Sequence, residues 1–225
     1  MKAMILAAGR GERLRPLTDT LPKPLLRVAG KSLLEYHLNA LRDAGIRQVV
    51  INLGYRGQQI ADTIGDGHNY NLSISYSHEP EEALETGGGI FQALPLLGEQ
   101  PFLLISADIW TNYNFAQLSA RASGLEGHAH LVLVANPPHH LDGDFALSQN
   151  GQISNQGTQC LTYSGLAILH PQLFAGQSAG RYPVAPLLRS ACDKGLVSGE
   201  YFSGQWHDVG TLERLKVLEQ SLCSL

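Results

Sequence analysis

The first thirty residues constrain this chain more than any other stretch. Ala3-Met4-Ile5-Leu6-Ala7-Ala8 is an apolar run too short to span a membrane, and Gly9, Arg10, Gly11, Glu12 and Arg13 follow at once. An apolar run broken by glycines reads as a buried strand entering a tight turn. Glycine lets backbone N–H groups approach one ligand together, and such a nest favours anions, phosphates above all. Arg13 and, further along the same polar loop, Lys23 add fixed positive charge. An Arg fork suits bidentate phosphate contact, and a Lys acts as a point charge. Neither common phosphate loop is present: Leu14 stands where G-x-G-x-x-G needs its third Gly, and no G-K-[ST] closes a Walker A motif. The expected ligand is a nucleotide at the carboxyl end of the first strand, touched by Gly9, Gly11, Glu12, Arg13 and Lys23.

The rest of the chain supports an α/β fold. Ser32-Leu33-Leu34-Glu35 is a capping box, Leu33, Tyr36, Leu38 and Leu41 continue at helical spacing, and Gly45 stops the helix. Residues 46–53 read as a buried strand, 58–64 as a short helix and 72–76 as a strand. This order predicts a single Rossmann-like domain over residues 1–225, with a mostly parallel mixed sheet and helices on both faces. With 225 residues the chain is long enough for one full core. A net charge of −4 argues against a nucleic-acid partner, and no apolar stretch reads as a membrane anchor. Cys160, Cys192 and Cys223 are odd in number and far apart, which suits a reducing cytoplasm, and they read as small buried hydrophobes.

Three further segments carry polar residues where a site could form. Glu79-Pro80-Glu81-Glu82-Ala83-Leu84-Glu85-Thr86-Gly87-Gly88-Gly89 precedes Ile90-Phe91-Gln92-Ala93-Leu94, a flexible loop at a helix N-terminus or simply a solvated acidic loop. Asp108 lies just past the apolar run of residues 101–105, where an aspartate can ligate a metal or cap a turn. Trp206-His207-Asp208-Val209-Gly210-Thr211 precedes a helix over residues 212–222. His139 and His140 are adjacent in a loop, so their side chains diverge, and a metal pair there is not expected.

The opening string is specific. Leu6-Ala7-Ala8-Gly9-Arg10-Gly11-Glu12-Arg13-Leu14-Arg15-Pro16-Leu17-Thr18, followed by Pro22-Lys23-Pro24-Leu25-Leu26, resembles the signature of the sugar-1-phosphate nucleotidyltransferases. The resemblance implies their α/β fold, without the β-helix domain that many relatives append. It makes Asp108 and Asp208 the metal ligands, and two carboxylates suit Mg²⁺ rather than zinc. It makes Arg13 and Lys23 the catalytic cations, and it implies that Glu79, Glu85, Thr86 and Gly87 contact the base through a closing loop. Glu85 replaces a glycine of the usual L-G-T-A-G pattern. Asn112, Asp144, Asn155 and Ser164 are the matching candidates for the sugar pocket. Many relatives carry an E-K-P whose Lys grips the sugar phosphate; Ser154-Asn155-Gln156-Gly157 has none, which leaves that phosphate to the metal and Lys23. The similarity is greatest to the short single-domain uridylyltransferases, which implies UTP and N-acetylmuramate α-1-phosphate as substrates in cell-wall recycling. Mannose-1-phosphate guanylyltransferases share every motif and are the nearest alternative. A nicotinamide-dependent dehydrogenase would want an acidic residue where the second strand ends in Asn52-Leu53-Gly54. A non-catalytic nucleotide-sugar sensor would be expected to have lost an aspartate or the loop Lys, and all four charged residues are present.

Overall fold

The apolar runs become the central strands of one large sheet. The computed structural model describes residues 1–223. Strand β1 (Lys2–Leu6) leads through the polar loop to a small hairpin, β2 (Arg27–Val28) and β3 (Lys31–Ser32). Then follow α1 (Leu33–Asp43), β4 (Gln48–Leu53), α2 (Gly57–Ile64), β5 (Ser73–His78), α3 (Glu85–Leu97), β6 (Phe102–Ser106) and β7 (Ile109–Thr111). The second half supplies α4 (Phe115–Arg121), β8 (Ala129–Val134), β9 (Phe145–Leu147), β10 (Ile153–Ser154), β11 (Cys160–Leu169), α5 (Ala185–Asp193), β12 (Val197–Tyr201), β13 (Trp206–Asp208) and α6 (Leu212–Cys223).

Helix α1 begins where the capping box places it. The Glu35 N–H donates to Ser32 Oγ at 3.2 Å, and the Ser32 N–H donates to Glu35 Oε2 at 2.7 Å. Its buried face holds Leu33, Leu34, His37, Leu38 and Leu41. Strands β6, β1, β4 and β5 are adjacent and parallel. The chain winds outward from β1 to β4 and β5, then returns to β6 on the other side of β1, so the order reverses between β1 and β6. Ligands of open α/β sheets bind in the crevice at such a reversal, beyond the carboxyl ends of the strands. Beyond β6 the sheet turns antiparallel: β11 pairs with β6 on one side and β8 on the other.

Alternate residues of β1 enter opposite layers. Ala3 and Ile5 pack with Leu34, Leu38 and Ile60 of α1 and α2, whereas Met4 packs with Ile90 and Ala93 of α3 and Leu188 of α5. Helices therefore cover both faces.

Two expectations need correction. Gly87, Gly88 and Gly89 lie inside α3 rather than in a flexible loop before it. Close packing explains them: a Cβ on Gly88 would stand 2.0 Å from the Gly180 carbonyl oxygen, and one on Gly89 2.3 Å from Glu79 Oε1. Of the cysteines only Cys192 is buried; Cys160 is partly exposed and Cys223 exposed, and all three are unpaired.

Candidate active site

The polar loop after β1 folds back on itself through three short 3-10 turns, Glu12–Leu14, Leu17–Asp19 and Lys23–Leu25. Gly11 has a φ of 67°, a left-handed conformation that glycine adopts without steric cost. Buried Thr18 donates its hydroxyl to the Gly11 carbonyl at 2.9 Å, and Leu14 is a fully buried anchor. The residue that breaks the dinucleotide motif thus fixes this loop to the core.

Two cavities open at the crevice. The first, about 500 Å³, is floored by Leu6, Ala8, Gly9 and Gly11 and walled by Lys23, Glu79 and Thr86. The second, about 360 Å³, is bounded by His139, Tyr163, Gly165, Trp206 and Asp208. Ser106 and Asp108 border both. Each volume suits one small ligand, so the crevice can hold two ligands side by side, meeting at Asp108.

Strand pairing brings the two aspartates together. Strand β13 runs antiparallel to β7 with Asp208 opposite Ile109, and the Val209 N–H donates to the Asp108 carbonyl at 2.8 Å. Each carboxylate meets a cation. Lys23 Nζ lies 2.7 Å from Asp108 Oδ2, with its side chain only 12% exposed. Arg214 Nη1 contacts Asp208 Oδ2, and His139 Nε2 lies 3.1 Å from the same oxygen. Arg13 reaches the same corner from the opposite side: its Nη2 is 3.1 Å from where a Cβ on Gly210 would stand. Two neighbouring carboxylates offer the oxygen donors that a hard divalent cation such as Mg²⁺ takes, so Asp108 and Asp208 are the residues that would hold one. Beneath this corner His37 is fully buried; burial pushes its imidazole down to about 4, against a hydrogen bond to the Ile109 main chain.

The lid of the first cavity is held by a relay of hydrogen bonds. The Ala7 N–H donates to Asn52 Oδ1 at 2.7 Å, Asn52 Nδ2 donates to Glu79 Oε1 at 2.6 Å, and the Leu84 N–H donates to Glu79 Oε2 at 2.8 Å. Glu79 therefore pins the lid to the ends of β1 and β4 with both oxygens, while it also lines the first cavity. The N-terminus of α3 is also occupied: the Gly87 and Gly88 N–H groups both donate to the Tyr182 carbonyl, and the Val184 N–H donates to Thr86 Oγ1. These N–H groups are not free to face a phosphate. Glu85 adopts a φ of 60°, a left-handed conformation that favours glycine, and its Oε1 pairs with Arg181 Nε at 3.2 Å.

The sugar-side candidates divide. Ser164 borders the second cavity, but its hydroxyl is buried and donates to the Val132 carbonyl at 2.7 Å. Asp144 stands behind the wall: its Oδ2 accepts from the Tyr163 N–H, and His140 Nε2 lies 3.1 Å from its Oδ1. Asn155 is not brought to either cavity, because its Nδ2 donates to the Arg189 carbonyl and to Asp193 Oδ1. Asn112 is not brought there either; its Oδ1 accepts from the Gln205 N–H and braces the turn into β13. Both side chains instead tie their loops to segments distant in sequence. Sequence reasoning missed Arg214, Asn52, Trp206 and the Tyr182 segment, and set His139 aside with His140. The two histidines do diverge, one toward Asp208 and the other toward Asp144.

Comparison with known proteins identifies the family. The sequence model of the nucleotidyl transferase family matches residues 2–152. The chain is 52% identical over 221 residues, 96% of each chain, to the N-acetylmuramate alpha-1-phosphate uridylyltransferase of Neisseria meningitidis serogroup B. It is 34% identical to the enzyme of that name from Caulobacter vibrioides, over 92% of this chain and 91% of the other. A mannose-1-phosphate guanyltransferase of Schizosaccharomyces pombe matches 61% of this chain and 39% of its own length, at 37% identity. Among solved structures, UDP-glucose pyrophosphorylase complexed with UDP-glucose superposes with a TM-score of 0.80 at 18% identity, over 99% of this chain and 98% of that one. The last likeness concerns the fold. The chain belongs to the sugar-1-phosphate nucleotidyltransferase family.

Proposed function

We propose that the protein transfers the uridylyl group of UTP to N-acetylmuramate α-1-phosphate, giving UDP-N-acetylmuramate and pyrophosphate, as a step of peptidoglycan recycling in the cytoplasm. One observation carries the reaction type: two ligand-sized cavities meet at Asp108, so two substrates can be held with their phosphates in contact. The choice of base and sugar rests on the relatives that share nearly the whole chain.

In this reading a sugar-phosphate oxygen attacks the α-phosphorus of UTP, the bond to the β-phosphate oxygen breaks, and pyrophosphate leaves. The nucleophile is already an anion, because the second pKa of a phosphate monoester is about 6, so no general base is needed. The residues supply position and charge. The glycine loop receives the triphosphate, Arg13 takes the departing pyrophosphate, and Lys23 turns from Asp108 toward the phosphates that react. Mg²⁺ held by Asp108 and Asp208 would neutralise charge on the phosphate oxygens. Glu79 and Thr86 keep the lid in place beside the base.

Pyrophosphate release in Mg²⁺ tests this. UTP, GTP, CTP and dTTP are each paired with N-acetylmuramate, N-acetylglucosamine, glucose and mannose 1-phosphates. Release confined to UTP with N-acetylmuramate 1-phosphate is expected. Release with GTP and mannose 1-phosphate would keep the mechanism and replace both substrates. Silence with folded protein would favour a nucleotide-sugar sensor.

A further inference from the structure

We propose that Arg214 binds the phosphate of the sugar 1-phosphate, in place of the Lys that Ser154-Asn155-Gln156-Gly157 lacks. The inference rests on the transfer reaction above and adds a residue to it.

Position is the first ground. Arg214 stands to Asp208 as Lys23 stands to Asp108: each cation meets one of the paired carboxylates. Asp208 borders the second cavity and Gly210 the first. Arg214 meets both residues: its Nη1 contacts Asp208 Oδ2 and lies 3.0 Å from where a Cβ on Gly210 would stand. Its side chain is 23% exposed, so a ligand can reach a guanidinium that is already largely desolvated.

Unmatched polarity is the second ground. His139 Nε2 lies 3.0 Å from Arg214 Nη1 and 3.1 Å from Asp208 Oδ2. A single ring nitrogen can accept from the Arg or donate to the Asp, not both. One of the two close contacts therefore stays unmatched until an anion takes Arg214. Arg13 sharpens the point: its Nη2 approaches the same position beside Gly210, and its guanidinium makes no ion pair among the described residues. Lys23 and Arg214 each pair with one of the two aspartates, and Arg13 stands beside Gly210 as a second guanidinium near the same corner.

Helix chemistry gives the third ground. Arg214 lies in the first turn of α6, where the macrodipole favours Asp or Glu and opposes a cation. Its charge does not serve the helix. Its fork of donors pairs with Asp208 and suits a phosphate as a further partner.

The test compares wild type with Arg214→Gln and Arg214→Lys. Titration calorimetry in EDTA reads binding of N-acetylmuramate 1-phosphate, N-acetylglucosamine 1-phosphate and inorganic phosphate; steady-state assays in Mg²⁺ read KM for each substrate. Arg214→Gln is expected to weaken both sugar phosphates by about 10- to 100-fold, as for loss of a hydrogen bond to a charged group. The KM for UTP should stay within about twofold, and Arg214→Lys should recover part of the loss, since it keeps the charge and not the fork. A loss confined to the acidic sugar would overturn the proposal and assign Arg214 to the sugar carboxylate. An equal rise in the KM for UTP would overturn it in favour of the triphosphate. Unchanged binding with a lower melting temperature would leave Arg214 as a structural partner of Asp208. Wild-type protein that releases no pyrophosphate would remove the transfer reaction, while the metal-free titrations would still decide whether Arg214 holds phosphate.

Discussion

The first cavity takes half of its lining residues from β1 and the continuous loop that follows it, whereas the second is gathered from distant segments. Gly9, Gly11 and Lys23 lie within fifteen residues of one another on the turn that leaves β1. His139, Tyr163 and the β13 pair Trp206 and Asp208 come from three separate stretches of the second half. A backbone site tolerates little change in shape, because the chain cannot move without breaking its own turns. A side-chain site can be retuned one residue at a time. One protein can thus keep a fixed way of holding nucleotide phosphates while its sugar side varies.

The largest expected effect lies where the two regions touch. Lys23→Ala or Asp108→Ala should lower kcat by about 10²–10³-fold, the cost of one preorganised charge-stabilising group, with the melting temperature nearly unchanged. A stopped assay of pyrophosphate release checks this, and retained turnover in either variant would remove that residue from the mechanism. Acid tests the floor beneath the second cavity next. His37 binds its proton near 6.5 when unfolded and at about 4 when folded. Its contribution is therefore complete above pH 6.5 and is lost as pH falls toward 4, by up to about 3 kcal/mol. Urea melts at pH 7 and pH 4.5 should show the decline, and His37→Leu should flatten it.

Variants of the lid separate backbone from side chain within the first cavity. Gly88→Ala would drive a Cβ into the Gly180 carbonyl, so a loss of about 1–3 kcal/mol and a raised KM for UTP are expected. Glu79→Ala leaves the Asn52 amide and the Leu84 N–H without their acceptor, at about 1–3 kcal/mol for a buried unpaired donor. Its lid should show faster hydrogen exchange around residues 80–86; unchanged exchange would mean that Glu79 does not hold the lid. The smallest effect belongs to Glu85→Gly. Relief of the left-handed backbone opposes the extra freedom of glycine in the unfolded chain, and the ion pair to Arg181 is exposed. A shift within about 1 kcal/mol is expected in thermal melts.

The sequence by itself determined the parts whose physics is local. The apolar run and glycines at residues 3–11 define a strand and its turn, Ser32 and Glu35 start a helix, and the order of runs makes β6, β1, β4 and β5 a parallel group. Lys23, Asp108 and Asp208 were legible because their motifs are contiguous strings. Tertiary structure decided whatever depends on long-range pairing. Only the antiparallel register of β7 and β13 sets Asp208 beside Asp108, and only the packing of α6 brings Arg214 to Asp208. The glycines of α3 look like a loop until the Tyr182 segment is seen pressed against them. Asn112 and Asn155 look like ligands until their amides are seen engaged with main chain that lies far away in sequence. A polar side chain hydrogen-bonds whatever the fold places within about 3 Å, and sequence spacing does not encode that neighbour.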